Sequence, residues 1–274
     1  MSSVLSKKPP LAEPSFDLDY SLEEFEADPA LDSRFLFRRI EQAMVREGLA
    51  TGGRTLDVAC GAGQIVTRIQ EHGVDGWGLD PSLGMLSLHR YLFSQDRIVL
   101  IRGIGESLPF QDGTFDRVLC QGALDHFVHP QTFMREAARI TRPDGRVIVA
   151  LTNYAGLSCR LGPLLERVGQ LFFHHTPLPH RPYWQPPPDH FHKGDLPFIL
   201  RLGGESLQLE RCYGVSLLWL LRGWGDWRWG TWLEEIPRPL AHTMLVILDR
   251  IAHKTPELAD MVISVWRPCT DKER

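Results

Sequence analysis

The stretch Arg-Thr-Leu-Asp-Val-Ala-Cys-Gly-Ala-Gly-Gln, residues 54–64, decides the fold. Its first half holds the apolar Leu56 and Val58, which is typical of a buried parallel strand. Gly61 and Gly63 follow, and glycine permits a tight turn and a close approach to a ligand because it has no Cβ. A helix that begins after Gly63 would direct its unpaired N–H groups back at the turn. The stretch therefore predicts the first strand–turn–helix unit of a nucleotide-binding α/β sheet.

The spacing of these glycines distinguishes two kinds of nucleotide site. A dinucleotide fingerprint has a third glycine three residues after the second, where this chain has Val66. Instead, Asp57 lies near the end of the strand, four residues before Gly61. A carboxylate there would repel a pyrophosphate and attract an ammonium group. S-adenosylmethionine (SAM) carries an ammonium group and a ribose but no phosphate. The alternative is a glycine turn that binds no ligand.

Four motifs in order resemble one enzyme family. Asp57-x-Ala59-Cys60-Gly61-x-Gly63 resembles motif I of the class I SAM-dependent methyltransferases. Residues 103–116, Gly-Ile-Gly-Glu-Ser-Leu-Pro-Phe-Gln-Asp-Gly-Thr-Phe-Asp, are similar to the family pattern G-D-A-E-x-L-P-F-x-D-x-S-F-D. Residues 121–127 and the turn 142–145 before strand five resemble two later motifs. The resemblance covers roughly residues 35–152. It implies a Rossmann-like α/β sheet of seven strands in the order 3-2-1-4-5-7-6, with an antiparallel last strand and an aromatic insertion before it.

The resemblance also implies the residues that hold the cofactor. Asp80 closes the second strand, where an acid can accept hydrogen bonds from both ribose hydroxyls; the alternative is that it caps the helix beginning at Pro81. In the family the loop 103–116 normally binds the adenine. Ile104 stands where the family usually has an acid that accepts a hydrogen bond from the base. Gly105 and Glu106 remain as the hydrogen-bond partners for the adenine. Gln121 would face the methionine half. The predicted cofactor residues are Asp57, Ala59, Gly61, Gly63, Asp80, Pro81, Met85, Gly105, Glu106 and Gln121.

Two histidines are the candidates for catalysis on the acceptor side. The sulfonium methyl of SAM is already activated, so the protein mainly aligns the acceptor and excludes water. A base helps only if the acceptor is a hydroxyl or phenol, and His126 and His190 are the candidates, with Asp125 able to orient a histidine. A structural role for each histidine is the alternative. The five histidines of residues 174–193 have no familiar metal-site spacing, so no metal is predicted.

The chain divides into four predicted parts. They are an N-terminal tail and cofactor cover (1–32), a SAM-binding core (33–153), a lid loop with strand six and an aromatic substrate cap (154–258), and the last strand with its tail (259–274). Residues 16–28 either cover the cofactor pocket or form a loosely packed tail. The six prolines of residues 174–193 exclude regular structure, and so long a loop is typical of an active-site lid.

The segment 219–232 is rich in tryptophan. It holds five of the eight tryptophans of the chain: Trp219, Trp224, Trp227, Trp229 and Trp232. One interpretation is a helical cap that packs on the sheet edge. Another is a peripheral contact with lipid headgroups, where tryptophan is favoured. A chamber for a hydrophobic acceptor is compatible with either interpretation.

Composition narrows the class of protein. With 274 residues, of which 43% are hydrophobic, the chain can form one large domain with additions. Its net charge of −4 argues against a nucleic-acid partner. Five scattered cysteines without a C-x-x-C pair favour free thiols in a reducing cytoplasm. We expect no signal peptide, because residues 1–14 hold lysines and prolines but no apolar core segment. We also expect no membrane span, because no apolar run of about eighteen residues occurs.

The predicted function is methyl transfer from SAM to a small, hydrophobic acceptor. One alternative is a nicotinamide-dependent reductase on a similar sheet, against which Asp57 and the missing third glycine count. Another is a non-catalytic SAM-fold subunit, which Ile104 favours and the intact Gly61 and Asp80 oppose. The acceptor, the methylated atom and the oligomeric state do not follow from the sequence.

Overall fold

The computed structural model describes residues 31–50, 52–93, 98–173, 185–186, 190–217 and 236–269. These residues form one seven-stranded sheet flanked by helices. The strands are β1 (Arg54–Val58), β2 (Asp75–Asp80), β3 (Val99–Arg102), β4 (Phe115–Gln121), β5 (Thr141–Thr152), β6 (Leu207–Val215) and β7 (Met261–Pro268). The helices are α1 (Leu31–Leu49), α2 (Gln64–Glu71), α3 (Leu83–Leu92), α4 (Pro130–Ile140), α5 (Leu157–Phe173), α6 (Leu196–Arg201) and α7 (Arg238–Lys254), with a short helical turn at Leu124–His126.

The strand order is β3-β2-β1-β4-β5-β7-β6, as predicted. Strands β1 to β5 pair in parallel, whereas β7 runs antiparallel between β5 and β6. The chain therefore proceeds from β1 to one edge, returns, and continues from β4 to the other edge. In such a sheet the crevice at the carboxyl ends of the central strands is the usual ligand site. The topology places the ends of β1 and β4 at that crevice.

Apolar side chains cover both faces of the sheet. On one face Val58 and Val118 pack with Phe133 and Met134 of α4. On the other face α1 and α2 contribute fully or almost fully buried side chains: Leu36, Ile40, Met44, Ile65 and Ile69. Both helices direct apolar residues spaced three to four apart at the sheet, which is the pattern of a helix with one buried stripe. The two layers fix the central strands from both sides.

Residues 142–145, predicted as a turn, lie within the bounds of β5 but have no partner in β4. The strand begins at Thr141, and its register with β4 shifts between Phe115, which pairs with Thr141, and Arg117, which pairs with Arg146. Regular pairing thus starts at Arg146, as predicted, after an unpaired irregularity of four residues. Gly145 permits it, since a Cβ there would lie 2.6 Å from the Thr141 side chain and 2.8 Å from a backbone oxygen.

Several predictions lie outside the described residues. They are the cover at residues 16–28, most of the proline-rich loop, and the segment 219–232 with its possible lipid contact. The division into four parts also stays a prediction. Within the ranges given above, no helix is long and apolar enough to cross a membrane. All five cysteines are free, as predicted.

Candidate active site

The turn after β1 uses three residues with positive φ. Gly61 and Gly63 have φ of 55° and 79°, a region open to glycine, and Gly63 is the N-cap of α2. Its N–H donates to the Cys60 carbonyl at 2.9 Å, which closes the turn. Ala59 has φ of 59°, where a Cβ is strained. The chain thus accepts strain at the carboxyl end of β1.

The Asp80 carboxylate forms hydrogen bonds with the turn after β1 and with the turn after β2. One oxygen, Oδ2, accepts from the Gly61 N–H at 2.9 Å, and the other, Oδ1, accepts from the Ser82 N–H at 2.8 Å. Helix α3 is capped by Ser82, whose hydroxyl accepts from the Met85 N–H at 3.2 Å. The alternative that Asp80 is itself the helix cap is therefore wrong. Burial raises the pKa of Asp80, and the two backbone hydrogen bonds partly offset that rise.

A cavity lies at the carboxyl ends of the central strands. Eight of the ten predicted cofactor residues line it, whereas Asp57 and Gly63 do not. His126 also lines the cavity, and the ring of His190 is in contact with the ring of His126. The lining residues are Ala59, Gly61, Leu79, Asp80, Pro81, Ser82, Met85, Ile104, Gly105, Glu106, Gln121, Gly122, Ala123, His126 and Phe127. The structure therefore brings three of the four predicted motifs, residues 57–63, 103–116 and 121–127, to one cavity.

A larger cavity, of about 860 Å³ against about 160 Å³, lies elsewhere on the described surface. It is a groove between α1, β6 and α7, lined among others by Arg39, Tyr213 and Asp249. Arg39 and Asp249 pair at 2.6 Å inside it. None of the predicted site residues lines this groove. The predicted site residues therefore lie at the smaller cavity and not at the larger groove.

Two buried oxygens of the predicted cofactor residues have no hydrogen-bond partner in the protein. They are Oδ1 of Asp57 and Oε1 of Gln121. Burial, and then the neighbouring Asp80 carboxylate, raise the pKa of Asp57 to about 8. Unsatisfied buried acceptors are rare in folded proteins and call for a partner. A ligand with a cationic donor group, such as the ammonium of SAM, supplies one, so these residues fit the cofactor that the resemblance implies.

Helix α4 holds the loop predicted to bind adenine. Arg139 donates to the carbonyls of Phe110 at 2.8 Å and Leu108 at 3.0 Å, and Glu136 accepts from the Leu108 N–H at 3.1 Å. A Cβ on Gly105 would lie 2.4 Å from the Phe127 ring, so only glycine fits there without movement of that ring. Ile104, Gly105 and Glu106 reach the cavity as a result.

Asp125, His126 and His190 form one cluster at the acceptor end. The imidazole rings of His126 and His190 have centroids 4.2 Å apart. Nδ1 of His190 lies 3.0 Å from Oδ2 of Asp125, and their side chains are only 8% and 2% exposed. The N–H groups of Phe191 and His192 both donate to the Asp125 carbonyl, at 2.9 and 3.2 Å. These bonds fix the segment that carries His190 against the helical turn.

Some lining residues were missed from the sequence. Ser82, Ala123 and Phe127 line the cavity but were not among the predicted contacts. Phe127 directly follows His126 and belongs to a motif already recognised, so its position was a usable signal. Ser82 follows Asp80 and Pro81 at a helix start, where serine is a favoured cap. Ala123 carries no such signal.

The family comparison agrees with this geometry. Residues 56–149 match the model of a family described as a methyltransferase domain. Over these residues the chain is therefore similar to a methyltransferase domain, and its strand order agrees with the predicted fold. The reductase alternative is not supported by it.

Individual proteins extend the comparison. The demethylmenaquinone methyltransferase of Renibacterium salmoninarum is 36% identical over 103 residues, which are 38% of this chain and 43% of that protein. The chain thus spans less than half the length of that curated relative. A solved structure from Pyrococcus horikoshii OT3 has a TM-score of 0.54 at 18% identity, covering 88% of this chain and 92% of that one. A SAM-dependent methyltransferase from Thermotoga maritima has a TM-score of 0.51 at 16% identity, covering 86% and 91%. Both solved structures share the fold.

Proposed function

We propose that the protein transfers the methyl group of SAM to a small, hydrophobic acceptor. The observation that carries the proposal is the cavity at the ends of β1, β2 and β4, which eight of the predicted cofactor residues line. The two buried acceptors beside it, on Asp57 and Gln121, add a need for a polar ligand. The family match supports the same chemistry.

The cofactor would be bound by residues at or just after the carboxyl ends of β1, β2, β3 and β4. Asp80 would bind the ribose through lone pairs that its two backbone hydrogen bonds leave free, since each carboxylate oxygen accepts more than one donor. Gly105 and Glu106 would bind the adenine edge, and Ile104 would pack on the base. Gln121 and the ionised Asp57 would favour the ammonium end. SAM supplies an electrophilic methyl group when it is bound.

The protein itself would align the acceptor with the methyl group, exclude water from the cavity and accept the proton that the acceptor releases. Apolar side chains such as Leu79, Met85 and Phe127 line the cavity and disfavour water there. An acceptor hydroxyl would release a proton as its oxygen is methylated. His126 and His190 are our candidates for handling it, because His126 lines the cavity and Asp125 contacts His190.

We infer a hydrophobic acceptor from the lining and from one relative. The relative's name states that it acts on demethylmenaquinone. A quinol of that kind offers a flat apolar ring and a long apolar tail, which suit an apolar cavity wall. A reduced naphthoquinone is therefore the first acceptor to assay, and a cytoplasmic location would agree with the free thiols.

The test is binding followed by transfer. Calorimetry should show binding of SAM and S-adenosylhomocysteine and no binding of nicotinamide cofactors; the opposite preference would refute the proposal. Methyl-labelled SAM with a reduced naphthoquinone and with a panel of small phenols should then label an extractable product. Tight SAM binding without transfer to any acceptor would favour the second candidate, a non-catalytic SAM-fold subunit, for which the departure at Ile104 is the supporting observation.

A further inference from the structure

We propose that Asp125, His126 and His190 bind one divalent transition-metal ion at the acceptor end of the cavity. The three side chains each offer one ligand atom, and these atoms all lie within 4.8 Å of one another. Two imidazoles and a carboxylate are a donor set that zinc, iron, cobalt and nickel accept. The spacing of histidines in the sequence predicted no metal because it cannot show that His190 returns to His126.

The first argument is the orientation of the side chains. Nδ1 of His190 and Oδ2 of Asp125 are 3.0 Å apart, close to the separation of about 3.0–3.4 Å between neighbouring ligands on one ion. Yet Nδ1 of His190 makes no hydrogen bond, and neither does Oδ1 of Asp125, although both atoms are buried. In a hydrogen-bonded acid–base pair the imidazole N–H points at the carboxylate. Here both atoms lack a partner, and a bound ion would supply one to each.

The second argument is the charge of the surroundings. Asp80 and Glu106 line the cavity, and Asp125 directly precedes the lining residue His126, whereas no lysine or arginine is among the described lining residues. Burial of a carboxylate without a cation is costly. The negative field therefore favours a bound cation at the cluster in addition to a cationic cofactor. The backbone bonds from Phe191 and His192 to Asp125 hold the three side chains together in advance.

The consequence for the reaction rests on the proposed function. Three protein ligands leave a coordination position open, as in catalytic metal sites. An acceptor hydroxyl bound there would lose its proton to solvent more readily. Its oxygen would then form the new O–CH₃ bond while the S–CH₃ bond breaks and sulfur keeps the electron pair. The two histidines would in that case be ligands and not the base.

The test measures metal binding directly, without the reaction. The full-length protein is dialysed against a chelator and titrated with Co²⁺, followed by visible absorption and calorimetry, and Zn²⁺ is then added in competition. We expect one ion per chain. His190→Ala and Asp125→Asn should each weaken binding by at least about tenfold, and His126→Gln provides a third variant if either of these does not fold. His72→Ala, which removes an exposed imidazole beyond α2, is the matched control and should bind like the wild type.

Absence of stoichiometric metal binding in the folded wild type would overturn the proposal. Metal binding by His190→Ala as tight as that of the wild type would overturn it too. If His190→Ala does not fold, the same result with His126→Gln would do so. SAM affinity is measured on the same samples. SAM binding without metal binding would refute the metal site and leave the methyltransferase proposal standing. Metal binding without SAM binding would support the metal site and refute the methyltransferase proposal.

Discussion

Asp57 should make cofactor binding depend on pH. In the protein without cofactor its pKa is raised to about 8, because the carboxyl is buried and lies near Asp80. It is therefore mainly protonated at neutral pH. A cationic cofactor favours the ionised form, so binding should release the proton. Asp57→Asn, which keeps the shape and cannot ionise, is the perturbation.

The size of the effect follows from that pKa. At pH 7 about nine in ten molecules carry the proton, so binding should release about 0.9 proton per SAM. If only the ionised form binds, the apparent dissociation constant is inversely proportional to the ionised fraction of Asp57. Affinity should then rise about 30-fold from pH 5.5 to pH 7. The sign is fixed: a raised pKa in the free protein makes binding tighter as pH increases.

The assay is isothermal calorimetry at several pH values below 7. That limit avoids titration of the amino group of SAM itself, which occurs near pH 8. Proton release is obtained by repeating one pH in two buffers of different ionisation heat. Other groups, histidines included, titrate alike in both proteins, so the difference between wild type and Asp57→Asn isolates this carboxyl. Parallel pH curves for the two proteins would refute the reasoning.

Four further substitutions test separate parts of the site. Asp80→Ala should weaken SAM binding about ten- to a hundred-fold by calorimetry, because it removes acceptors for the ribose and for two backbone N–H groups; an unchanged constant would exclude a ribose contact. Ile104→Asp should tighten SAM binding or leave it unchanged, since it adds an acceptor near the adenine, and a marked loss would show that an apolar side chain is needed there. Ala59→Gly should stabilise the fold by about 1 kcal/mol in thermal unfolding, because it relieves a left-handed alanine, and a lower melting temperature would contradict this. His190→Ala should slow methyl transfer in the labelling assay while SAM affinity stays nearly intact; equal losses in both would place His190 on the cofactor side.

The resemblance predicted the strand order, and local patterns predicted most of the residues that line the smaller cavity. The glycine turn, the acid after β2 and the loop 103–116 are each encoded within a few residues, and parallel strands bring their carboxyl ends to one edge without further information. The contact between Asp125 and His190 could not be predicted in this way. It depends on where the chain returns after a long proline-rich segment, and no short-range pattern encodes that path.

Residues 142–145 show another limit of local patterns. Proline, aspartate and glycine in succession are typical of a turn, and these residues do lack a partner in β4, but the strand already begins before them, at Thr141. Ala59 is a third case, because alanine alone gives no sign of a positive φ. In each instance the tertiary surroundings override the preference of the residue.

The double hydrogen bond of Asp80 has a dynamic consequence. Because one carboxylate holds the amides of both Gly61 and Ser82, neither turn can open without weakening the other. The two amides should therefore exchange with solvent deuterium as one cooperative unit, although they lie on different crossovers of the sheet. A ligand that binds either turn would then slow exchange at both, so that the two turns become ordered in a single step.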